Sequence, residues 1–251
     1  MRQLDGKTIV MTGAAGGIGS LVARRLRGEG ARVIGIDRIG CIDCDETLLS
    51  DLADRDALGV LSGTLTGLPI DILVNVAGAQ YFGEADRQDL DSIQLCYAVN
   101  LIAPAALARA VLPGMIARGE GQIVNIGSAM GAIAYPYFAT YSSSKAGLKA
   151  LSDALRREVG ARGIAVTHIA PRAVQTAFNT AAVNRFLELV KMRADDPRVV
   201  AEVIVRAIIA RRKDVAIGAA ERFYARLNAL APRIIDRGLA GQAAKARTLF
   251  S

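Results

Sequence analysis

Tyr141 and Lys145 are the side chains whose types and spacing most directly suggest proton-transfer chemistry. Of the six tyrosines in the chain, only Tyr141 is followed four residues later by a lysine. On a helix, that spacing places both side chains on one face. A phenol has an unperturbed pKa of about 10, so it needs a neighbouring cation before it can exchange protons near neutral pH. Lys145 could supply this charge, although a tyrosine and a lysine also reach this spacing by chance.

A glycine-rich turn near the amino terminus has the form of a phosphate site. A predicted strand, residues 8–11, leads directly into the turn, and an amphipathic helix follows it. Glycines let the backbone turn tightly and approach a pyrophosphate, whose charge then lies at the N-terminus of the helix. Tight turns also need glycine for structural reasons alone, so the flanking strand and helix favour dinucleotide binding. The predicted contacts are Gly13, Gly16, Gly17, Ile18 and Gly19.

Asp37 ends the second predicted strand, about 20 residues beyond the glycine turn. A carboxylate there would accept hydrogen bonds from the adenosine ribose and repel a 2′-phosphate. Arg38 follows it and could reverse this preference, but the glycine turn contains no basic residue. NAD is therefore favoured over NADP, and the alternative is that Asp37 merely caps a loop.

Apolar runs of strand length alternate with amphipathic helical stretches along the chain. This alternation indicates βαβ units and a parallel sheet, and continuously apolar runs are expected where helices cover both faces. The sequence therefore predicts one α/β domain over residues 1–251, a doubly wound, Rossmann-like parallel sheet of about seven strands. Helices are expected at residues 101–117, 145–159 and 198–212. The runs are residues 8–11, 32–36, 70–74, 122–126, 165–169 and 214–217.

Several motifs, taken together, give the chain a family likeness over nearly all of its first 218 positions. They are Thr12-Gly13-x-x-x-Gly17-Ile18-Gly19, Asp51-Leu52, Asn75-Val76-Ala77-Gly78, Asn100, Ser128, Tyr141-x-x-x-Lys145 and the run from Pro171 to Thr176. In order and in spacing, the chain resembles the short-chain dehydrogenase/reductase family. This combination is far more specific than a glycine turn alone.

The resemblance implies four catalytic residues. Tyr141 would be the general acid in carbonyl reduction and the general base in alcohol oxidation. Ser128 would hydrogen-bond the substrate oxygen, while Lys145 would lower the pKa of Tyr141 and bind the nicotinamide ribose. Asn100 would hold a water molecule that connects Lys145 to solvent.

The resemblance also implies contacts with the cofactor beyond the glycine turn. Asp51 would meet the adenine, Asn75 and Ala77 would form the backbone wall behind the cofactor, and Val174 with Thr176 would bind the nicotinamide amide. The remaining implied cofactor residues are Leu52, Gly78, Tyr141, Lys145 and Pro171.

Two positions depart from the family pattern. Val76 stands where the family usually has asparagine, at a position that mainly supports the sheet. Arg172 stands where glycine normally follows Pro171. The long cation would lie near the nicotinamide and the substrate mouth, where it could shape specificity or point outward into solvent.

The implied function is an NAD(P)(H)-dependent oxidoreductase of the alcohol dehydrogenase or carbonyl reductase type, which interconverts a ketone and a secondary alcohol. Residues 176–196 are predicted to be a substrate lid, whose Phe186, Leu187 and Val190 favour an apolar or lipid-like substrate. The alternatives are a 3-oxoacyl-thioester reductase and a non-catalytic dinucleotide-sensing protein of the same fold. In this family the long helices around Asn100 and Lys145 commonly pack against a second subunit, so a homodimer or homotetramer is expected.

The net positive charge of the chain arises entirely in residues 197–251. The formal net charge is +7, with 11 basic and 4 acidic side chains in residues 197–251 but 20 of each in residues 1–196. The chain has no tryptophan and 5% aromatic residues, so binding to nucleic acid is not expected. Residues 219–251 form a basic amphipathic C-terminal extension. It could cover a neighbouring subunit, make peripheral contact with an anionic membrane, or be a solvated helix face.

Cysteine usage and the apolar stretches predict a cytoplasmic protein. Three cysteines are too few for a disulfide framework and suit a reducing compartment. Cys41 and Cys44 have the spacing of a zinc or redox pair, but the chain has no second pair, so no metal site is predicted. The first residues form no signal peptide, and the most apolar stretch, residues 101–117, is interrupted by two prolines and an arginine, so no membrane span is expected.

Overall fold

A parallel sheet forms the centre of the computed structural model, which describes residues 2–250. Its strands are β1 (Thr8–Thr12), β2 (Arg32–Asp37), β3 (Glu46–Leu49), β4 (Ile72–Asn75), β5 (Gly121–Ile126), β6 (Ile164–Ala170) and β7 (Asp214–Ala216). Their order is β3-β2-β1-β4-β5-β6-β7, and every adjacent pair is parallel. The six apolar runs all form strands, with ends shifted by one or two residues. The sequence pattern missed β3 because this short edge strand is half exposed and lacks a continuously apolar run.

Nine helices accompany the strands within the described residues. They are α1 (Gly19–Gly28), α2 (Arg55–Thr66), α3 (Leu90–Tyr97), α4 (Ala103–Arg118), α5 (Ala139–Val159), α6 (Ala181–Leu189), α7 (Pro197–Ile209), α8 (Ala219–Leu230) and α9 (Pro232–Arg247). Helix α5 begins six residues before its predicted start at residue 145. Its first turn therefore contains Tyr141, one turn ahead of Lys145.

The helices cover both faces of the sheet, which confirms the predicted doubly wound α/β fold. Successive side chains of a strand point to opposite faces, so Ile9 and Met11 pack against α1 and α7 while Val10 packs with α2 and α4. Burying apolar side chains on both faces contributes about 25 cal/mol per Å² of apolar surface removed from water. The continuous apolar character of the strands follows from this two-sided burial.

Residues 90–118 form one continuous helical run, in which a π-helical turn at Ala98–Ile102 joins α3 to α4. By length and composition the run could cross a membrane, but 50% of its most apolar window is buried inside the fold. Leu107, Val111 and Met115 of α4 belong to the core on one face of the sheet. Packing of α4 against the sheet therefore explains the apolar character of this run.

Strand β1 lies between β2 and β4, which is where the strand order reverses. In an open parallel sheet, loops that leave neighbouring strands in opposite directions create a crevice at the carboxyl ends of those strands. The loops after β1, β4, β5 and β6 therefore meet at one edge. They carry most of the motifs that the sequence singled out.

Candidate active site

A cavity of about 850 Å³ runs along the carboxyl edge of the sheet, from the end of β2 to α8 and α9. Its wall contains every predicted site residue except Asn75 and Asn100. The predicted site residues that line the cavity are Gly13, Gly16, Gly17, Ile18, Gly19, Asp37, Asp51, Leu52, Ala77, Gly78, Ser128, Tyr141, Lys145, Pro171, Val174 and Thr176. The two exceptions are buried behind the wall, and each is held by another side chain.

The glycine turn is closely packed on one side and exposed on the other. Gly13 has φ +67°, and a Cβ there would lie 2.6 Å from the backbone nitrogen of Ala77. A Cβ on Gly17 would lie 2.9 Å from the Thr176 methyl carbon, whereas one on Gly19 would overlap the Gly13 carbonyl oxygen. Side chains are therefore excluded where the turn meets the loops after β4 and β6.

In the part of the chain that the structure describes, no side chain caps the start of helix α1, and its first turn contains no acidic residue. The first N–H groups of a helix lack partners within the helix and carry a partial positive charge, so they suit an anion. Gly16 and Gly17 are exposed immediately before this helix. The turn thus fits the pyrophosphate of a dinucleotide.

Asp37 marks the adenosine end of the cavity. Its Oδ2 accepts a hydrogen bond from the Ala15 backbone N–H at 3.0 Å, and its Oδ1 accepts one from Arg38 N–H at 2.8 Å. Each carboxylate oxygen keeps a further acceptor position for a ribose hydroxyl. The Arg38 side chain is exposed. The carboxylate thus caps the glycine turn, as the alternative interpretation of the sequence allowed, and this contact fixes it where a ribose could bind.

The predicted adenine contact, Asp51, and the predicted cofactor contact Leu52 follow β3, which pairs with β2 beside Asp37. Asp51 is exposed, and its Oδ1 accepts a hydrogen bond from Ala53 N–H at 2.9 Å. Leu52 is buried beneath it. The Ser50 hydroxyl also borders the cavity and is buried without a partner among the described residues, and no sequence motif marked this position.

Ser128, Tyr141 and Lys145 meet where β5 and α5 border the cavity. Ser128 lies close enough to Tyr141 to favour the phenolate form of its side chain. The Ser128 Oγ accepts a hydrogen bond from Met130 N–H at 3.1 Å, which caps a short turn after β5. The Lys145 Nζ donates to the Ile126 carbonyl at 3.0 Å. Proton transfer and hydrogen bonding to a substrate oxygen can therefore take place at one point.

Burial sets the protonation of the two central groups. It raises the pKa of Tyr141 to about 12, although Ser128 opposes this shift by favouring the phenolate, so the lowered pKa that the resemblance implied through Lys145 is not found. Burial also lowers the pKa of Lys145 to about 8. At pH 7, Tyr141 is consequently a neutral phenol, while most of Lys145 keeps its charge.

Asn100 lies in the π-helical turn before α4, fully buried. Its Oδ1 accepts from Ala79 N–H at 2.9 Å, and its Nδ2 donates to the Ala79 carbonyl at 2.7 Å and to Ser144 Oγ at 2.9 Å. A Cβ on Gly78 would lie 3.3 Å from Asn100 Oδ1 and 3.7 Å from Lys145 Nζ. Asn100 therefore positions the loop after β4 beside Lys145, and the sequence did not reveal its partner Ser144.

Asn75 is the other predicted residue that stays outside the cavity wall. It is buried at the end of β4, and its Nδ2 donates to Asn125 Oδ1 at 2.8 Å. Thr12 stands beside it in the sheet, and the Thr12 Oγ1 accepts from the backbone N–H groups of Val76 and Ala77 at 3.2 Å. These contacts hold the backbone of the loop against the glycine turn.

The other half of the cavity is apolar, and the C-terminal extension forms its roof. Residues 219–251 were expected to be solvated, to cover a neighbouring subunit or to touch a membrane, but the inner faces of α8 and α9 line this cavity. Two aromatic residues before Tyr141 also contribute, whereas Tyr137 does not. The apolar lining includes Met130, Ile133, Tyr135, Phe138, Val183, Leu187, Met192, Tyr224, Leu227, Ile234, Ile235 and Leu239.

An aromatic cluster attaches this roof to the rest of the fold. The Phe82 ring lies 5.2 Å from that of Phe250, 5.2 Å from Phe186 and 4.7 Å from Phe138, between centroids. Aromatic pairs at such distances stabilise by about 0.5–1.5 kcal/mol beyond the area that they bury. The C-terminal end, the predicted lid and the turn before α5 are thus packed together.

Arg172 makes a contact that the sequence did not reveal. Its guanidinium donates to both Asp195 carboxylate oxygens, at 2.9 and 2.6 Å, and lies 3.5 Å from Glu221 Oε1. Asp195 is the penultimate residue of the predicted lid, and Glu221 lies in the first turn of α8. The side chain that replaces glycine therefore ties the loop after β6 to the lid and to the roof.

The remaining chemically reactive residues form no further catalytic centre in the structure. Cys41 and Cys44 are adjacent, with sulfurs 2.9 Å apart, and the Cys41 thiol donates to the Ala14 carbonyl at 3.1 Å. Within residues 2–250, no three histidine, cysteine or acidic side chains are grouped to hold a metal ion. His168 is buried in β6 with its Nδ1 3.2 Å from Asp214.

Comparisons with known proteins agree with this geometry. A family model described as short chain dehydrogenase matches residues 7–185. Ketoacyl reductase HetN of Nostoc sp. is 32% identical, over 86% of this chain and 80% of that protein. Dehydrogenase/reductase SDR family member 7B of Danio rerio is 28% identical, over 96% of this chain and 87% of that protein.

The fold is also similar to that of a solved structure. A short-chain dehydrogenase from Sphingobium yanoikuyae, in complex with NADPH, has a TM-score of 0.78 and 25% identity, over 92% of this chain and 96% of that one. The family model alone spans well over half of the sequence, and the motifs that it covers converge on one cavity. The chain therefore belongs to the short-chain dehydrogenase/reductase family of oxidoreductases, whose fold binds NAD(P).

Proposed function

We propose that this oxidoreductase interconverts a ketone and a secondary alcohol, prefers NAD(H), and acts on an apolar or lipid-like substrate. The observation that carries the proposal is that Ser128, Tyr141 and Lys145 line the same cavity, where the dinucleotide cleft meets its apolar half. A non-catalytic sensor would have no use for this arrangement.

The residues of the chain divide the chemistry among them. Bound NAD(P)(H) supplies or accepts the hydride. The glycine turn would hold its pyrophosphate, Asp37 its adenosine ribose, and Lys145 its nicotinamide ribose. Ser128 hydrogen-bonds the substrate oxygen and stabilises charge on it. Tyr141, a neutral phenol at pH 7, donates its proton to that oxygen in the reductive direction, and the charge on Lys145, one helical turn later, would stabilise the phenolate left behind.

The substrate class follows from the walls of the cavity. The half beyond Tyr141 is lined by aliphatic and aromatic side chains from α6, α8 and α9, together with Met130 and Met192 from the segments beside them. Desolvating an apolar substrate there contributes about 0.8 kcal/mol per methylene group. A 3-oxoacyl thioester is the second candidate, because a relative with 32% identity carries the name ketoacyl reductase.

Steady-state rates over a panel of ketones test this function. With NADH, kcat/KM should rise by about fourfold for each methylene added to an aliphatic ketone until the cavity is filled, in proportion to the surface buried. The panel should include aromatic, steroid and 3-oxoacyl-thioester ketones. NADH binding without turnover of any of them would favour the sensor, and preference for the thioester would favour the second candidate.

Asp37→Asn should weaken the preference for NADH over NADPH. The amide can still accept the hydrogen bond from Ala15, but it no longer repels a 2′-phosphate. Removing that repulsion should lower the ratio of kcat/KM with NADH to that with NADPH by about 10- to 100-fold. Asp51→Asn is the matched control, since it removes a carboxylate from the adenine end and should leave the ratio unchanged. An unchanged ratio in Asp37→Asn would refute the preference.

The oligomeric state of the protein and its cellular location remain predictions. A shallow apolar groove lies between α4 and α5, lined by residues that include Leu112, Ile116 and Leu155. These are the helices expected to meet in a homodimer or homotetramer. The cytoplasmic location, which cysteine usage suggests, is likewise a prediction.

A further inference from the structure

The outer faces of α8 and α9 form a mixed basic and apolar surface, named here the hairpin rim. Phe223, Leu230 and Ile234 are 61%, 85% and 55% exposed. Exposed apolar side chains in such a cluster mark a surface that contacts something other than water. The hairpin rim consists of Phe223, Arg226, Leu230, Arg233, Ile234 and Arg237.

The spacing of these residues separates the hairpin rim from the inner face. Phe223, Arg226 and Leu230 recur at three- and four-residue intervals, so they form one stripe along α8. The neighbouring stripe of α8, which contains Tyr224 and Leu227, lines the cavity. Each helix therefore has an inner face toward the substrate site and an outer face toward solvent.

The charges of the hairpin rim are unpaired within residues 2–250. Arg226, Arg233 and Arg237 make no ion pair in the part of the chain that the structure describes. Asp236 is the acidic side chain of α9, and Glu221 of α8 is engaged with Arg172. The outer face thus carries a net positive charge that no carboxylate of the fold neutralises.

The cavity opens at the edge of this surface. Tyr224 and Ile234 line the cavity, yet they are 48% and 55% exposed, so they form part of its mouth. An apolar molecule leaving an apolar phase at the hairpin rim would therefore enter the cavity past Tyr224 and Ile234. The same two helices provide the outer surface and the wall of the site.

We propose that the hairpin rim docks on an anionic phospholipid bilayer and that an apolar substrate enters the cavity from it, an inference that rests on the proposed function. Phe223, Leu230 and Ile234 enter the interface between headgroups and acyl chains. Arg226, Arg233 and Arg237 bind lipid phosphates while their aliphatic stems follow the apolar side chains.

A bilayer fits this surface better than an acidic protein or a second copy of the chain does. An acidic carrier protein would be bound by the arginines, but it would leave Leu230 without an apolar partner. A second copy would bring another unneutralised cluster of arginines against the first. A lipid surface supplies phosphates and an apolar layer together.

Co-sedimentation with lipid vesicles tests the proposal without measuring activity. The whole protein should bind phosphatidylcholine vesicles that contain phosphatidylglycerol at least about tenfold more tightly than pure phosphatidylcholine vesicles, and less tightly at high salt. The triple variant Arg226→Gln, Arg233→Gln, Arg237→Gln should bind the anionic vesicles about a hundredfold more weakly. Phe223→Ser with Leu230→Ser should weaken binding about tenfold or more.

The matched control is Arg162→Gln, Arg212→Gln, Lys213→Gln, which changes the net charge equally. These exposed residues precede β6 and β7, so they lie at the opposite edge of the sheet from the cavity. The control should bind vesicles like wild type, and the arginine variant should retain wild-type rates with a soluble ketone. Equal vesicle binding by all the variants would overturn the proposal. It would equally be overturned if the arginine variant changed only the oligomer mass or the binding of an acidic carrier protein.

Discussion

Tyr141→Phe is expected to lower kcat/KM by about 10²- to 10⁴-fold while NADH still binds with near wild-type affinity. The substitution removes the phenolic proton and leaves the ring packed against Phe138 and Phe178. Burial raises the pKa of Tyr141 to about 12, so the proton is present on the phenol throughout the neutral range. Other groups in the cavity cannot replace it, because Ser128 lacks the acidity and Lys145 is held by the Ile126 carbonyl.

Tyr135→Phe is the matched control for this experiment. Tyr135 lines the same cavity, but it has no lysine one helical turn later. This control should retain kcat within a few-fold, and both variants should quench or enhance NADH fluorescence on titration as wild type does. If Tyr141→Phe kept more than about a tenth of wild-type kcat/KM, Tyr141 could not be the general acid.

The sheet and the glycine turn were predictable because their signals are local. An apolar run of five or six residues that ends in glycines determines both a strand and the tight turn after it. Strand β3 could not be predicted in this way, because an edge strand buries only part of one face and needs no apolar run. Tyr141 and Lys145 could be placed on one helix face because their spacing alone determines it.

The roof of the cavity and its attachment could not be predicted in the same way. Arg172 meets Asp195 and Glu221 across separations of 23 and 49 residues, and no local pattern selects such partners. The amphipathic character of residues 219–251 indicated an apolar face without showing what that face covers. The spacing within α8 was the signal that could have indicated two apolar faces. One stripe of this helix contains Tyr224 and Leu227, and the neighbouring stripe contains Phe223 and Leu230.

Asn100 shows how a motif can identify a residue and leave its contacts unknown. The family pattern assigned it to a proton relay through a water molecule. In the structure, three of its four hydrogen-bonding positions are taken by Ala79 and Ser144. The side chain therefore acts first by positioning the loop after β4, and that role depends on packing between α3, α4 and α5.

Lys145→Met should reduce kcat/KM by about 10²-fold or more and, in the same protein, raise the free energy of unfolding at pH 7. The activity falls because Tyr141 loses the cation that stabilises its phenolate. The stability rises because burial lowers the pKa of Lys145 from 10.5 to about 8, so the folded state holds a poorly solvated charge. Removing that charge should stabilise the fold by about 1–3 kcal/mol, less than the full shift because the hydrogen bond to Ile126 is lost.

The pH dependence of unfolding separates this mechanism from a general packing effect. Below about pH 8 both states of the wild type hold the proton on Lys145, and the destabilisation is fully present. Between about 8 and 10.5 the folded state releases the proton while the unfolded state keeps it, so wild-type stability should rise with pH relative to Lys145→Met. Lys149→Met, one turn along α5, removes ion pairs with Asp153 and Asp214 and should lower stability by up to about 1 kcal/mol. Chemical denaturation across this pH range measures both variants, and a constant difference between wild type and Lys145→Met would exclude titration of the buried lysine as the cause.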